Sequence, residues 1–195
     1  TNSEKVFSID DFYNLGFKKN RSYDVSELEG ASDAVFGFWG LTKSDSKTYE
    51  IRIYDSHQNA VSLGESFAKE VTGNNAIIKS SQSSWKEGLK DRRKIGGPGD
   101  SGGGRSGTFP RYGNYAIYGN VIMLCEGPEE IALENCWDLI NNLSNAFEVS
   151  PRIIQFLRNV NPPIKTSSLA GMNVFQFWFS KLLQTSILKS SAFLF

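Results

Sequence analysis

The chain has 195 residues, of which 39% are hydrophobic and 13% aromatic, enough to bury one sizeable core but not two. Its 21 basic and 21 acidic residues balance, so the global charge gives no reason to expect a nucleic-acid partner or a strongly acidic ligand. The charge is uneven, however, because residues 149–195 contain five basic residues and no acidic one. We therefore predict a single α+β domain over residues 1–150, followed by a basic, apolar helical tail over residues 151–195.

The N-terminal region predicts a short helix. Ser8 followed by Asp10 and Asp11 is typical of an N-cap with an acidic first turn, and Gly16 is a stop signal, so the helix is expected over residues 9–15.

Two strands are predicted next. The apolar run 34–39 favours a strand, and YEIRIY (49–54) alternates, with Tyr49, Ile51 and Ile53 on one face. The second strand is therefore expected to be half-buried and paired with the first.

A second helix is predicted to begin at Asp55 or Ser56 and to end at Gly73. Its apolar face is expected to consist of Ala60, Gly64, Phe67, Ala68 and Val71. The sequence SSWKEGLKDRRK then favours a short helix over residues 84–93.

A second strand–strand–helix unit follows. YGNYAIYGNVIMLCE predicts two strands joined by a tight turn at Gly119 and Asn120, and Pro128 with two acids behind it opens a helix. The apolar stripe of that helix comprises Ala132, Leu133, Cys136, Trp137, Ile140 and Leu143. Two ββα units predict a four-stranded, mainly antiparallel sheet with the helices on one face.

A glycine-rich loop at residues 96–107 reads GGPGDSGGGRSG, and its GDSGGG differs by one residue from the GDSGGP signature of chymotrypsin-like serine proteases. That similarity would make Ser101 a nucleophile with His57, the single histidine, as its base. However, His57 lies at a predicted helix start without the Ala-Ala-His-Cys context, and Gly104 replaces the proline. We predict no catalytic residue, and a serine hydrolase using Ser101 is the alternative.

The same loop also matches a dinucleotide-binding pattern and a Walker A pattern with arginine in place of lysine. Both patterns require a buried strand before them and a helix directly after, which KDRRKI and TFPRYG do not provide. We therefore expect no cofactor and interpret the loop as a flexible linker.

Three other kinds of site are conceivable: a metal site, a phosphate or nucleic-acid site, and an aromatic ligand cleft. One histidine and two distant cysteines match no zinc spacing, so no metal is expected. Residues 86–111 hold seven basic residues against three acidic ones, beside Trp85, Tyr112 and Tyr115. Basic and aromatic groups in this combination could bind phosphate or single-stranded nucleic acid. An ordinary solvated loop is the simpler interpretation, so no nucleic acid is expected. Aromatic side chains could also line a ligand cleft, although half of them are simply core in a sheet with one covered face (Phe36, Phe38, Trp39, Tyr49 and Tyr54).

The segment 172–195 is the longest apolar candidate for membrane contact. Lys181 and Lys189 interrupt it, which disfavours a membrane-spanning helix and favours contact with a membrane surface or docking on the domain. A docked helix would use Phe175, Phe179, Leu182, Leu183 and Ile187.

Several strings of the chain resemble a family of small uncharacterised bacterial proteins of unknown function, many of them lipoprotein-like: FYNLGFKKNRSYDVSELEGASDAVFGFW, YEIRIYDSHQNAVSLG, WKEGLKDRR and YGNYAIYGNVIMLCEG. The resemblance covers about residues 7–143 and implies an extracytoplasmic location, with an export signal and a lipidated cysteine that the polar start TNSEKVFSIDDF lacks. No activity carries over. We therefore expect a non-catalytic binding or structural module of the cell envelope, with a membrane-surface protein acting through its tail as a further alternative.

The two cysteines predict a disulfide. Cys125 ends the fourth predicted strand and Cys136 lies on the stripe of the helix that folds back over it, so a Cα separation of about 5.5 Å is attainable. In an exported chain a bridge is the simpler interpretation, with two buried free thiols as the alternative.

Overall fold

The structure is a computed structural model that describes residues 5–96 and 107–160, with side chains described as far as residue 146. The chain divides into two units, Thr1–Arg152 and Ile153–Phe195. The predictions for Ser101, for most of the glycine-rich loop and for segment 172–195 lie outside the described residues.

The described helices and strands follow one another in this order: α1 (Ile9–Asn14), β1 (Lys18–Ser22), β2 (Ala31–Trp39), β3 (Lys47–Tyr54), α2 (His57–Asn59), a π-helical segment (Ala60–Gly64), α3 (Glu65–Glu70), β4 (Arg93–Gly96), β5 (Gly107–Pro110), β6 (Tyr112–Tyr118), β7 (Val121–Glu126) and α4 (Glu129–Val160).

A five-stranded antiparallel sheet forms the centre of the fold, in the order β1-β2-β3-β7-β6. It consists of two hairpins, β2-β3 and β6-β7, joined where β3 pairs with β7 and Ile51 lies opposite Met123. Strands β4 and β5 form a separate two-stranded ribbon on either side of the glycine-rich loop. The prediction of an α+β fold is confirmed, although the sheet has one strand more than expected.

The additional strand, β1, has the sequence KKNRS, and all five of its residues are exposed. It lacks the apolar alternation that identifies a half-buried strand, because it lies at the edge of the sheet. Lysine and arginine on an edge strand also discourage pairing with other chains. A polar edge strand of this kind gives no hydrophobic signal in the sequence.

Both faces of the sheet are covered. On one face, α1 and α4 pack on a core that includes Phe12, Ile51 and Met123. On the other face, the residues around Ala60 and Ala68 and the segment that carries Trp85 form a second core. The prediction of helices on a single face is therefore wrong, because β3 and β7 are buried on both sides.

Two of the predicted helices differ in detail. In α4, Leu133 and Trp137 are 37% and 39% exposed, and Leu139 is buried in addition to the other predicted stripe residues. The expected helix over residues 84–93 is a series of turns, in which Gly88 has a φ of 69° and accepts backbone hydrogen bonds from Asp91 and Arg92. The positive φ at Gly88 turns this segment, so that its last residues reach the sheet.

The β6-β7 turn fixes the N-terminal segment. The side chain of Asn120 accepts a hydrogen bond from the Phe7 amide at 2.6 Å and donates to the Phe7 and Tyr54 carbonyls at 2.9 and 2.7 Å. Because Asn120 is buried, these bonds satisfy its whole amide group.

Candidate functional site

The predicted hydrolase pair can be placed only in part. His57 begins α2 behind the cap residue Ser56, and its Nδ1 atom lies 2.7 Å from the Gly119 carbonyl oxygen. This contact joins the helix start to the β6-β7 turn. Ser101 lies outside the described residues, so its relation to His57 remains a prediction.

The cysteines lie in the core. Cys125 and Cys136 form a disulfide with a Cα separation of 5.7 Å, and both are fully buried. The bridge joins β7 to α4 across a separation of 11 residues. Within residues 5–96 and 107–160, no three His, Cys, Asp or Glu residues are grouped so that they could hold a metal ion.

The basic residues between Trp85 and Tyr112 mostly have internal partners. Lys94 pairs with Glu126 at 2.8 Å, Arg93 donates to the Ile78 carbonyl, and Arg111 donates to two backbone carbonyls. Arg92 is fully buried. These partners hold the β4-β5 ribbon to the domain.

The five aromatic residues considered as a ligand cleft are divided between the two faces of the sheet. Trp39 and Tyr49 belong to the core beneath α4, whereas Phe36 and Tyr54 belong to the opposite core. Phe38 is 37% exposed. They cannot line one cleft, because the sheet lies between them.

The most unusual chemistry in the described structure is a cluster of charged side chains in the second core. The alternation of β3 places Glu50, Arg52 and Tyr54 on the same face. The segment after α3 covers this face and adds Trp85 and Arg92. We call these five residues, together with Tyr112, the buried polar cluster; all six are at most 2% exposed.

Glu50 is the centre of the cluster. One of its oxygens, Oε1, accepts hydrogen bonds from Arg52 Nε at 2.8 Å and from Arg92 Nη2 at 2.9 Å. The other, Oε2, accepts from Arg92 Nε at 2.8 Å. Two guanidinium groups therefore share one carboxylate, a bonding pattern that is strong only when the geometry is well satisfied.

Trp85 lies against both guanidinium groups. Its ring centroid is 5.0 Å from Arg52 Cζ and 4.5 Å from Arg92 Cζ. Arg92 also donates to the Trp85 carbonyl at 3.2 Å. Cation–π attraction is strongest when the partners are desolvated, as they are here, so the indole partly compensates for the loss of water around the two cations.

The charges of the cluster change one another's pKa values. Burial alone would raise the pKa of Glu50, but Arg92 and Arg52 hold this pKa below its ordinary value. Burial lowers the pKa of Arg52, and Glu50 offsets only part of that effect. Burial also lowers the pKa of Arg92, but the charge of Glu50 and its hydrogen bonds outweigh burial, so the pKa of Arg92 is raised. Glu50 is therefore ionised and fully engaged, so it offers no general base at neutral pH.

The cluster also contains donors that remain unpaired among the described residues. They are Nη1 and Nη2 of Arg52, Nε1 of Trp85 and the hydroxyls of Tyr54 and Tyr112. Arg52 Nη2 lies 2.8 Å from Glu50 Oε1, but only Nε of that guanidinium has hydrogen-bond geometry toward the carboxylate. Buried donors of this kind are uncommon in folded proteins and require an explanation.

The sequence alone did not reveal this cluster. The strand pattern placed Glu50, Arg52 and Tyr54 together correctly, but it also implied that their face was open to water. The available signal was the pair of opposite charges at alternate positions of an otherwise apolar strand. Arg92 could not be linked to that pair, because it is 40 residues further along the chain and reaches the sheet through a series of turns.

The comparison with family models decides the affiliation of the chain. Residues 8–145 match the family of unknown function DUF6810. The chain belongs to this family. The matched region contains the sheet, the buried polar cluster and the disulfide, so the DUF6810 region is the same folded unit that the structure describes.

The other comparisons add no function to DUF6810 membership. Searches of curated proteins and of solved structures each found no match. In the described part of the chain, no helix is both long enough and apolar enough to cross a membrane.

Proposed function

We propose that this DUF6810 chain is a non-catalytic, extracytoplasmic module that binds or holds a partner at the cell envelope. The disulfide between Cys125 and Cys136 is the observation that carries the proposal, because disulfides form and persist mainly in oxidising compartments. Its position inside the core makes it part of the folded domain. A cytoplasmic protein would seldom build a permanent bridge into its core.

The charged groups of the domain support a non-catalytic function. Glu50, the only fully buried carboxylate among the described residues, is paired with two arginines, which leaves it no proton to exchange at neutral pH. Residues that fix a structure usually have such saturated pairs, whereas a general acid or base needs a pKa near the working pH. This arrangement favours a rigid scaffold over a reaction centre.

A more specific proposal is that a lipid anchors the chain to the membrane. It rests on the resemblance to lipoprotein-like proteins and requires that the gene encode an export signal and a cysteine for lipidation upstream of Thr1. The upstream coding sequence tests this directly: a lipobox supports anchoring, and its absence leaves a secreted or otherwise retained module.

Thiol counting tests the compartment. The chain is produced with and without an export signal, denatured without reductant and treated with an alkylating reagent. We expect no free thiol in the exported protein. Two free thiols in the exported chain, with both cysteines intact, would contradict the proposal. The double variant C125A/C136A sets the background of the assay.

A fluorophosphonate probe tests the alternative of a serine hydrolase. We expect no labelling of the full chain. Labelling that is lost in the Ser101→Ala variant and kept in a Ser106→Ala variant would establish Ser101 as a nucleophile and overturn the non-catalytic proposal.

A further inference from the structure

The buried polar cluster has an excess of positive charge. Among residues 5–96 and 107–160, its charged members are one carboxylate, Glu50, and two guanidinium groups, Arg52 and Arg92. Outside the cluster, Asp91 and Arg111, which are of opposite sign, both act on Tyr112. The side chains of the cluster therefore carry a net charge of about +1 in a region closed to bulk solvent, where an uncompensated charge is costly.

The unpaired groups of the cluster are all able to donate hydrogen bonds. The two outer nitrogens of Arg52 make no hydrogen bond of good geometry in the described structure, and the same holds for one group each of Trp85 and the two tyrosines. The Glu50 carboxylate accepts its three hydrogen bonds from Arg52 Nε and from Arg92, and among these groups only Arg52 Nη2 lies near it, 2.8 Å from Oε1. A negatively charged acceptor would neutralise the excess positive charge and would also accept hydrogen bonds from these donors.

Arg52 and Tyr54 are the best-placed pair for such an acceptor. They lie two residues apart on the same face of β3. Burial raises the pKa of the Tyr54 hydroxyl, and Arg52 lies close enough to offset part of that rise by its charge and by hydrogen bonding. The end of the Tyr54 ring lies directly against Gly64, where an added Cβ would overlap the Cζ and hydroxyl oxygen of Tyr54. Gly64 ends the π-helical segment, a local geometry that is rare in helices and frequent at functional sites.

We propose that the buried polar cluster binds a small monovalent anion, a halide or a carboxylate group, held by Arg52 and Tyr54 with Trp85 and Tyr112 as further donors. The arrangement favours a monovalent anion because one negative charge neutralises the cluster, whereas a divalent anion would reverse its sign. Since these side chains are buried, the anion enters when the segment between α3 and β4 opens or when the chain folds. This inference does not depend on the proposed compartment.

Chloride-dependent stability is the first test. The full chain is unfolded thermally while sodium chloride replaces sodium isethionate, a bulky sulfonate, at constant ionic strength, and a parallel series uses sodium formate. We expect the unfolding midpoint to rise with the logarithm of the chloride or formate concentration once this exceeds the dissociation constant, because only the folded chain has the site. A rise with formate alone would identify a carboxylate site. Equal midpoints in all three salts would overturn the proposal.

The matched variants are Tyr54→Phe and Tyr49→Phe. The first removes a donor from the cluster, and the second removes a hydroxyl on the opposite face that donates to the Asn135 carbonyl. We expect the anion dissociation constant, obtained from the dependence of the midpoint on anion concentration, to rise about fivefold in Tyr54→Phe, as for one hydrogen bond of ordinary strength, and to stay unchanged in Tyr49→Phe. Equal responses in both variants would show a general salt effect.

Bromide soaking provides a measurement that needs no variant. Crystals of the full chain in sodium bromide are expected to show an anomalous peak within about 3.5 Å of the Arg52 outer nitrogens. If formate was the stabilising anion, its density at the same position would support the proposal. A water molecule there, in crystals grown with the stabilising anion, would refute it.

Discussion

Among single residues, Glu50 has the largest expected effect on stability, because it is the carboxylate to which two buried cations are both bonded. Burying an ion pair brings little net stability, but removing one partner leaves an uncompensated charge in the core. We expect Glu50→Gln to lower the free energy of unfolding by about 3–5 kcal/mol, measured by urea denaturation. Glu65→Gln is the control: its carboxylate is partly exposed and pairs with Lys69, so the expected loss is below about 1 kcal/mol.

The same residue predicts how stability depends on pH. The folded-state pKa of Glu50 lies below its ordinary value of 4.5, so the unfolded chain takes up a proton at a higher pH than the folded chain. Glu50 therefore stabilises the fold fully above about pH 4.5, and this contribution is lost as the pH falls through its folded pKa. The stability of Glu50→Gln should fall less steeply below pH 4.5 than that of the wild type. Equal slopes would show that other carboxylates control acid unfolding.

The alternation of β3 was sufficient to place Glu50 and Arg52 on one face, since side-chain direction in a strand follows from sequence position alone. It was insufficient to show that this face is buried, because the covering segment comes from residues beyond α3. Long-range coverage of this kind depends on where a loop packs, and local patterns do not encode it. The donors of Tyr54 and Tyr112 could not be recognised for the same reason.

At the scale of helices and strands, residues that favour one backbone geometry predicted the local structure, whereas segments without such residues were predicted wrongly or missed. The β6-β7 hairpin and the start of α4 follow from Gly119-Asn120 and Pro128, because these residues favour particular backbone geometries. Strand β1 was missed because a polar edge strand is specified by its pairing with β2. In the helix predicted over residues 84–93, Gly88 adopts a positive φ that ends helical geometry.

The disulfide between β7 and α4 is expected to resist reduction in the folded chain. Both sulfur atoms belong to fully buried residues, so a thiol reagent reaches them only after the helix separates from the strand. We expect dithiothreitol to reduce the bridge slowly in buffer and rapidly in 6 M guanidinium chloride. The C125A/C136A variant should be less stable by about 3 kcal/mol, because without the bridge the unfolded chain regains the entropy of the open loop. Equal reduction rates in both solvents would show that the bridge is exposed through local opening.

At the scale of the whole molecule, the DUF6810 match ends at residue 145, well before the C-terminus. The first of the two units of the chain likewise ends at Arg152. Both boundaries lie close to Ser150. The different charge of residues 149–195 points to the same division.

We expect a chain ending at Ser150 to unfold cooperatively, with a free energy of unfolding within about 0.5 kcal/mol of that of the full chain, since it keeps every buried contact described above. Circular dichroism during urea denaturation measures both the transition and the secondary structure. A chain ending at Pro128 is the control, because it loses the α4 residues that cover one face of the sheet, among them Ala132, Cys136 and Ile140. That control should show no cooperative transition. If the chain ending at Ser150 behaved like the control, residues beyond it would be completing the core, and the basic tail would have to be regarded as part of the domain.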